Sequence, residues 1–237
     1  MKHPVPRLPE IGARDGLAYA LFMPDEEPLA GVVIAHGAGS AKESHFDFAR
    51  TARANGIAAL TFDMRGHGHS EGEFGPTAFG DVLAMCDLMA ARAPHVAIRG
   101  SSMGGFCAIH AAALEPSIVA VTAICPAPED FLLRGLRSGE LAGFRADQAA
   151  LEPWLERLDL KAAAASLGPA TALLLLHAQG DEQVPYAVSE ELNGAARDPK
   201  RLLIVPGGHH RSVQHDLELQ TVSLRFIERA ARARATG

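Results

Sequence analysis

Apolar and polar positions along this chain follow two periods. From about residue 29 onward, short unbroken apolar runs alternate with stretches of helical spacing. The runs at 31–35, 57–62, 96–99, 118–124, 170–177 and 201–205 predict strands. The stretches at 46–55, 77–92, 106–114 and 213–234 predict helices. Near-continuous apolar strands separated by helices predict an α/β domain, with a mostly parallel central sheet covered by helices on both faces. Residues 7–10 and 17–22 predict a short antiparallel entry hairpin. No internal repeat or low-complexity linker divides the chain, so residues 1–237 read as a single domain.

One connection breaks the rhythm. The strand ending near Cys125 and the one beginning near Ala170 are separated by far more chain than the roughly dozen residues a crossover needs. The surplus, about residues 127–168, carries Phe131, Leu132, Leu133, Leu136, Leu141, Phe144, Leu151 and the only tryptophan, Trp154. So many apolar residues need something to cover. The expectation is a small helical lid over the carboxyl ends of the strands, where open α/β sheets bind ligands.

Composition narrows the function classes. The formal net charge of -6 argues against a nucleic-acid partner. The arginines near the end, Arg225, Arg229, Arg232 and Arg234, read as a solvated helix face. No apolar run reaches membrane-spanning length, and Met1, Lys2, His3 and Pro4 open no secretory signal. Cys86, Cys107 and Cys125 have no metal-ligand spacing and sit in apolar surroundings, as buried reduced thiols do. A cytoplasmic location is expected, with no metal and no cofactor.

The chemistry concentrates at predicted strand ends. Gly100-Ser101-Ser102-Met103-Gly104 has the form G-x-S-x-G between a strand and a helix, the context in which a sharp turn exposes a serine. Only Ser102 has glycines two residues away on each side; Ser101 has Arg99 and Met103 there. A serine nucleophile needs a base, and the base an orienting acid. Asp181 follows the strand ending in Leu176 and His177, and His209 and His210 follow the strand ending in Val205. Either histidine suits the base by position. Glu129 and Asp130, also beyond a strand end, are weaker candidates for the acid, because the first turn of a helix favours acids anyway. An oxyanion site needs backbone donors. Met103, after the nucleophile, and Ala38, in the glycine loop His36-Gly37-Ala38-Gly39-Ser40, are the candidates. Arg134, Arg137 and Arg145 in the inserted segment could meet a substrate carboxylate, or lay their stems on apolar surface.

With His36-Gly37, Asp63-Met64-Arg65-Gly66-His67-Gly68-His69-Ser70, the serine motif, Gly180-Asp181, and Pro206-Gly207-Gly208-His209-His210, nearly the whole chain resembles the α/β-hydrolase superfamily. It is most similar in pattern to compact bacterial serine esterases and dienelactone-hydrolase-like members. The resemblance implies the α/β-hydrolase fold and His210 as the base, from a G-x-x-H pattern after the last strand. It also implies that His67 and His69 belong to a structural turn. Dienelactone hydrolases carry a cysteine at the elbow, so Ser102 argues against that activity. The expected function is cleavage of a small-molecule carboxylic ester by Ser102, Asp181 and His210. A peptidase, thioesterase or acyltransferase shares the same acyl-enzyme chemistry, and a silent binding protein shares the fold alone.

Overall fold

A computed structural model describes residues 7–139 and 143–236; Leu141 and the residues read for a secretory signal lie outside them. The chain forms an eight-stranded sheet in the order β1-β2-β4-β3-β5-β6-β7-β8. The strands are β1 (Glu10–Arg14), β2 (Leu17–Phe22), β3 (Ala30–Ala35), β4 (Ile57–Phe62), β5 (Val96–Ser101), β6 (Ala120–Ile124), β7 (Ala172–Ala178) and β8 (Lys200–Val205). β2 pairs antiparallel with β1 and β4, and every pairing from β4 through β8 is parallel. This is the sheet that the apolar runs predicted. The carboxyl ends of six parallel strands therefore share one edge.

Alternate residues of each strand point to opposite faces. Val33, Leu60 and Phe62 pack with helices α2 (Ala78–Ala90) and α3 (Met103–Leu114). Val32, Ile34 and Ala59 pack with α1 (Phe46–Ala54) and α9 (Leu217–Thr236). Two expectations shift. The entry hairpin turns at Asp15-Gly16, where φ is 53° and 77°, so its first strand runs over Glu10–Arg14 rather than 7–10. A two-residue turn with both φ positive matches the twist of paired strands, and Asp-Gly supplies it. The C-terminal helix is divided into α8 (Ser212–His215) and α9 because Asp216 leaves helical geometry and accepts the Leu219 amide at 2.9 Å. That is the work of an N-cap.

The long connection contains α4 (Glu129–Ser138), α5 (Gln148–Leu155) and α6 (Leu160–Ser166). Asp147 and Asp159 cap α5 and α6 through the Ala150 and Ala162 amides. α6 packs between α3 and α7 (Ala187–Ala195), so it serves as the crossover helix into β7. Trp154 lies against Phe74, Phe79 and Phe106, and Leu132, Leu133, Leu136 and Leu151 join the same cluster. Most of the apolar surplus is thus covered by the body of the domain. Among the described residues, no helix is long and apolar enough to cross a membrane, and the three cysteines are buried and unbridged.

Six histidines are buried among the described residues, and burial lowers the pKa of four of them, His45, His67, His36 and His110. Burial, aided by the neighbouring His67 ring, lowers His36 from 6.5 to about 4. Burial likewise lowers His110 to about 4; its ring stacks on Phe79 and its Nε2 has no hydrogen-bond partner. Both rings are neutral in the folded chain, so protons bind the unfolded chain more readily between about pH 6.5 and 4. Stability is therefore expected to fall as pH drops through that window, by about 1.4 kcal/mol for each unit of separation per histidine. Urea-unfolding midpoints measured at intervals from pH 7.5 to 4 test this, and replacing His110 by Phe should flatten part of the slope.

Candidate active site

The elbow is a strained turn held from several sides. β5 ends at Ser101 and α3 begins at Met103; Ser102 between them adopts φ 54°, ψ -120°. A non-glycine residue there costs on the order of 1–3 kcal/mol and persists only when its surroundings impose it. Here the Ser102 amide donates to Ile124 O at 2.8 Å, and the Ser102 carbonyl accepts from Phe106 and Ala127 at 3.1 and 3.2 Å. The flanking glycines are steric necessities. A Cβ on Gly100 would collide with the Gly104 carbonyl, and one on Gly104 with the carbonyls of Ala35 and His36.

β7 and β8 deliver the next two groups. The Asp181 side chain lies just beyond β7 and is fully enclosed. Gly207 and Gly208, with φ of 68° and 74°, turn the chain after β8 back toward it. His210 Nδ1 then lies 2.7 Å from Asp181 Oδ2, while His209 is exposed and its ring accepts only the Arg211 amide. An ionised carboxylate can only accept, so His210 Nδ1 carries the proton and Nε2 is the basic nitrogen. Burial alone would raise the Asp181 carboxyl. Hydrogen bonds from the His177 and His210 rings and the Val184 and Gln183 amides outweigh it and hold Asp181 well below the usual carboxylate range. Glu129 instead accepts the Leu160 amide at 3.1 Å, and Asp130 pairs with Arg134.

Sequence reasoning missed two neighbours of Asp181. His177 is wholly buried; its Nε2 lies 2.9 Å from Val184 O and 3.3 Å from Asp181 Oδ2, and its Nδ1 accepts from the Ser189 hydroxyl at 2.7 Å. The signal available was its position, four residues before Asp181 across a tight turn. Cys125, in a left-handed conformation at φ 44°, brings its Sγ within 4.8 Å of ligand atoms of Asp181 and His210. This is the one group among the described residues with potential metal-ligand spacing. Its Asp181 and His210 atoms already satisfy each other, and burial pushes the Cys125 thiol up, so a cation would have to displace a formed hydrogen bond.

The loop after β3 is braced by the Asp63–Ser70 turn. His36 donates from Nδ1 to Gly37 O at 2.8 Å and accepts the Met64 amide at 3.0 Å. His67 donates to Arg65 O and accepts the Gly39 amide at 3.2 Å. Asp63 accepts from Lys42 Nζ at 2.7 Å and from the His69 amide at 2.9 Å. His67 and His69 therefore support the loop. The Gly39 amide is spent on His67, and Ala38 faces the cavity. Met103 heads α3, at the positive end of its dipole.

Ser102, His210 and Ala38 line a single cavity of about 330 Å³, with Phe131 and Leu132 of α4 on its wall. No hydrogen bond joins Ser102 Oγ to His210 among the described residues; contacts of this kind commonly tighten only when substrate binds. Arg134, Arg137 and Arg145 do not line this cavity. They bind Asp130, Glu152 with Glu156, and the carbonyls of Ser70 and Gly72.

Comparison with known proteins adds context to this geometry. The family described as serine aminopeptidase, S33 (Hydrolase_4) matches residues 26–133. The uncharacterised protein YfhR of Escherichia coli is 44% identical over 46 residues, which span 19% of this chain and only 16% of that relative. YfhR of Salmonella typhimurium is 25% identical across 84% of this chain and 72% of its own length. Among solved structures, ferulic-acid-bound Est1E from Butyrivibrio proteoclasticus matches with a TM-score of 0.73 at 22% identity, covering 96% of this chain and 100% of its own. Monoglyceride lipase from Saccharomyces cerevisiae matches with a TM-score of 0.77 at 14% identity, covering 98% and 99%.

The elbow geometry predicts that Gly104→Ala forces apart backbone that has no slack. We expect it to destabilise the fold by about 1–3 kcal/mol or prevent folding, whereas Gly80→Ala, where a Cβ meets open space, should be tolerated. Thermal melting of the two variants makes the comparison.

Proposed function

We propose that this chain, an α/β hydrolase in its fold, is a serine hydrolase that cleaves carboxylic esters. The observation that carries the proposal is the 2.7 Å contact of His210 with the enclosed Asp181, at a cavity shared with Ser102 on its strained turn. In this mechanism Ser102 Oγ attacks the acyl carbonyl carbon as its proton passes to His210 Nε2. The carbonyl π electrons move onto oxygen, and the Met103 and Ala38 amides bind the resulting oxyanion. Collapse breaks the bond to the alcohol, which leaves with the proton from His210. Water then attacks the acyl-enzyme, again through His210, and releases the acid and Ser102. Asp181, held well below the usual carboxylate range by its donors and so ionised near neutral pH, holds the imidazole in the required tautomer and stabilises its charged form.

Within the insertion at about residues 127–168, the start of α4 serves as the lid in this proposal, with Phe131 and Leu132 as its contact with a small-molecule substrate. The buried, unbridged cysteines suit a reducing, cytoplasmic setting. The likeness to a monoglyceride lipase supports an ester substrate. Amide cleavage is the second reading, favoured by the aminopeptidase description of the matching family.

Ser102→Ala should abolish hydrolysis of p-nitrophenyl esters and labelling by a fluorophosphonate. Asp181→Asn should lower kcat by roughly 10³–10⁴-fold, while His209→Ala should leave it close to wild type. Persistent turnover in Ser102→Ala removes the assignment. A matched panel of ester, thioester and amide separates the two readings by kcat/KM.

A further inference from the structure

Among the described residues, the lining of the cavity that holds Ser102 and His210 includes no carboxylate, although the chain as a whole carries a formal net charge of -6. Asp181 stands behind the His210 ring, where its charge is met by two imidazoles and two amides. On the wall itself are His210, Arg211 and His215. His215 is already paired with Asp47 at 3.0 Å. Arg211 is not: among the described residues its guanidinium has neither an ion-pair partner nor a hydrogen-bond acceptor. The arginines around the site are otherwise committed. Arg65 holds Asp81, Arg99 donates to Gln214 O at 2.9 Å, and Arg145 binds loop carbonyls. Arg211 is exposed and directly follows His210, so its backbone is placed by the same glycine turn that seats the base.

A guanidinium with no partner on the wall of a cleft attracts anions, and its planar donors fit a carboxylate. The cavity also offers Phe131 and Leu132 to an apolar group. We infer that the substrate is an anionic ester, bearing a carboxylate or similar anion within a few bonds of the scissile group, and that Arg211 is the residue that selects it. This inference rests on the serine-hydrolase reading and adds the substrate class to it.

Two isosteric ester pairs test it. One is p-acetoxybenzoate against p-acetoxybenzamide, with the charge on the leaving group. The other is mono-p-nitrophenyl succinate against p-nitrophenyl succinamate, with the charge on the acyl group. Wild type should favour the carboxylate member of at least one pair. Arg211→Gln should reduce that ratio of kcat/KM by about tenfold or more, and Arg211→Lys should recover part of it. Ratios that do not change in either pair overturn the inference while leaving the hydrolase reading intact. If no ester is hydrolysed, that reading falls, and calorimetric titration with p-hydroxybenzoate and p-hydroxybenzamide decides the inference alone. Binding of the acid that weakens in Arg211→Gln supports it; no preference for the acid overturns it.

Discussion

The backbones of β3, β5 and α3 meet at the elbow with no room for side chains between them. Gly104 rests on the carbonyls of Ala35 and His36, and Gly100 faces the carbonyl of Gly104. This contact brings the head of α3 to the carboxyl ends of two neighbouring strands. α3 is buried from Met103 through Ala112, so it cannot shift without opening the core on every side. The unfavourable conformation of Ser102 is sustained because β6 and the segment after it bind its amide and carbonyl. Packing energy spread over the sheet thereby fixes one serine, and the glycine loop after β3 is set beside it by the same approach.

Charge is handled with the same economy. Two enclosed carboxylates lie beyond strand ends on the site's edge, Asp63 after β4 and Asp181 after β7. Burial would raise both, yet donors within reach hold each below its ordinary range: Lys42 and two amides for Asp63, two rings and two amides for Asp181. Their negative charge is spent locally, one on bracing the loop that carries Ala38 and the other on orienting His210. Among the described residues, the cavity lining holds no acidic side chain, and Arg211 on it has no ion-pair partner.

The segment between β6 and β7 divides its labour. α6 crosses over to β7, Trp154 fills space against α2 and α3, and, among the described residues of the segment, the start of α4 lines the cavity. Apolar content therefore measured how firmly the insertion is fastened more than how much of it meets a ligand. Arg137, a candidate partner for a substrate carboxylate by sequence, ties α4 to the end of α5 through Glu152 and Glu156.

Local patterning determined much of this protein. Unbroken apolar runs separated by helices dictate parallel strands, and parallel strands bring their carboxyl ends together; hence Ser102, Asp181 and the His209-His210 pair could be placed on one edge from the sequence alone. The glycine spacing identified Ser102 over Ser101 because the steric demand at the turn is local. Asp15-Gly16 carried an equally local signal for the hairpin turn, and the displaced first strand follows from it. Contacts between distant segments were decided only by the tertiary structure. His209 and His210 are chemically identical neighbours, and resemblance alone pointed to His210 before the rotation of the chain after Gly207-Gly208 brought that ring to Asp181. The His177 contact, the Cys125 thiol beside the acid and the unpaired Arg211 on the cavity wall depend likewise on how three strand ends and their loops converge. Such convergence is a property of the packed sheet, in which residues far apart along the chain become neighbours, and no short stretch of sequence contains it.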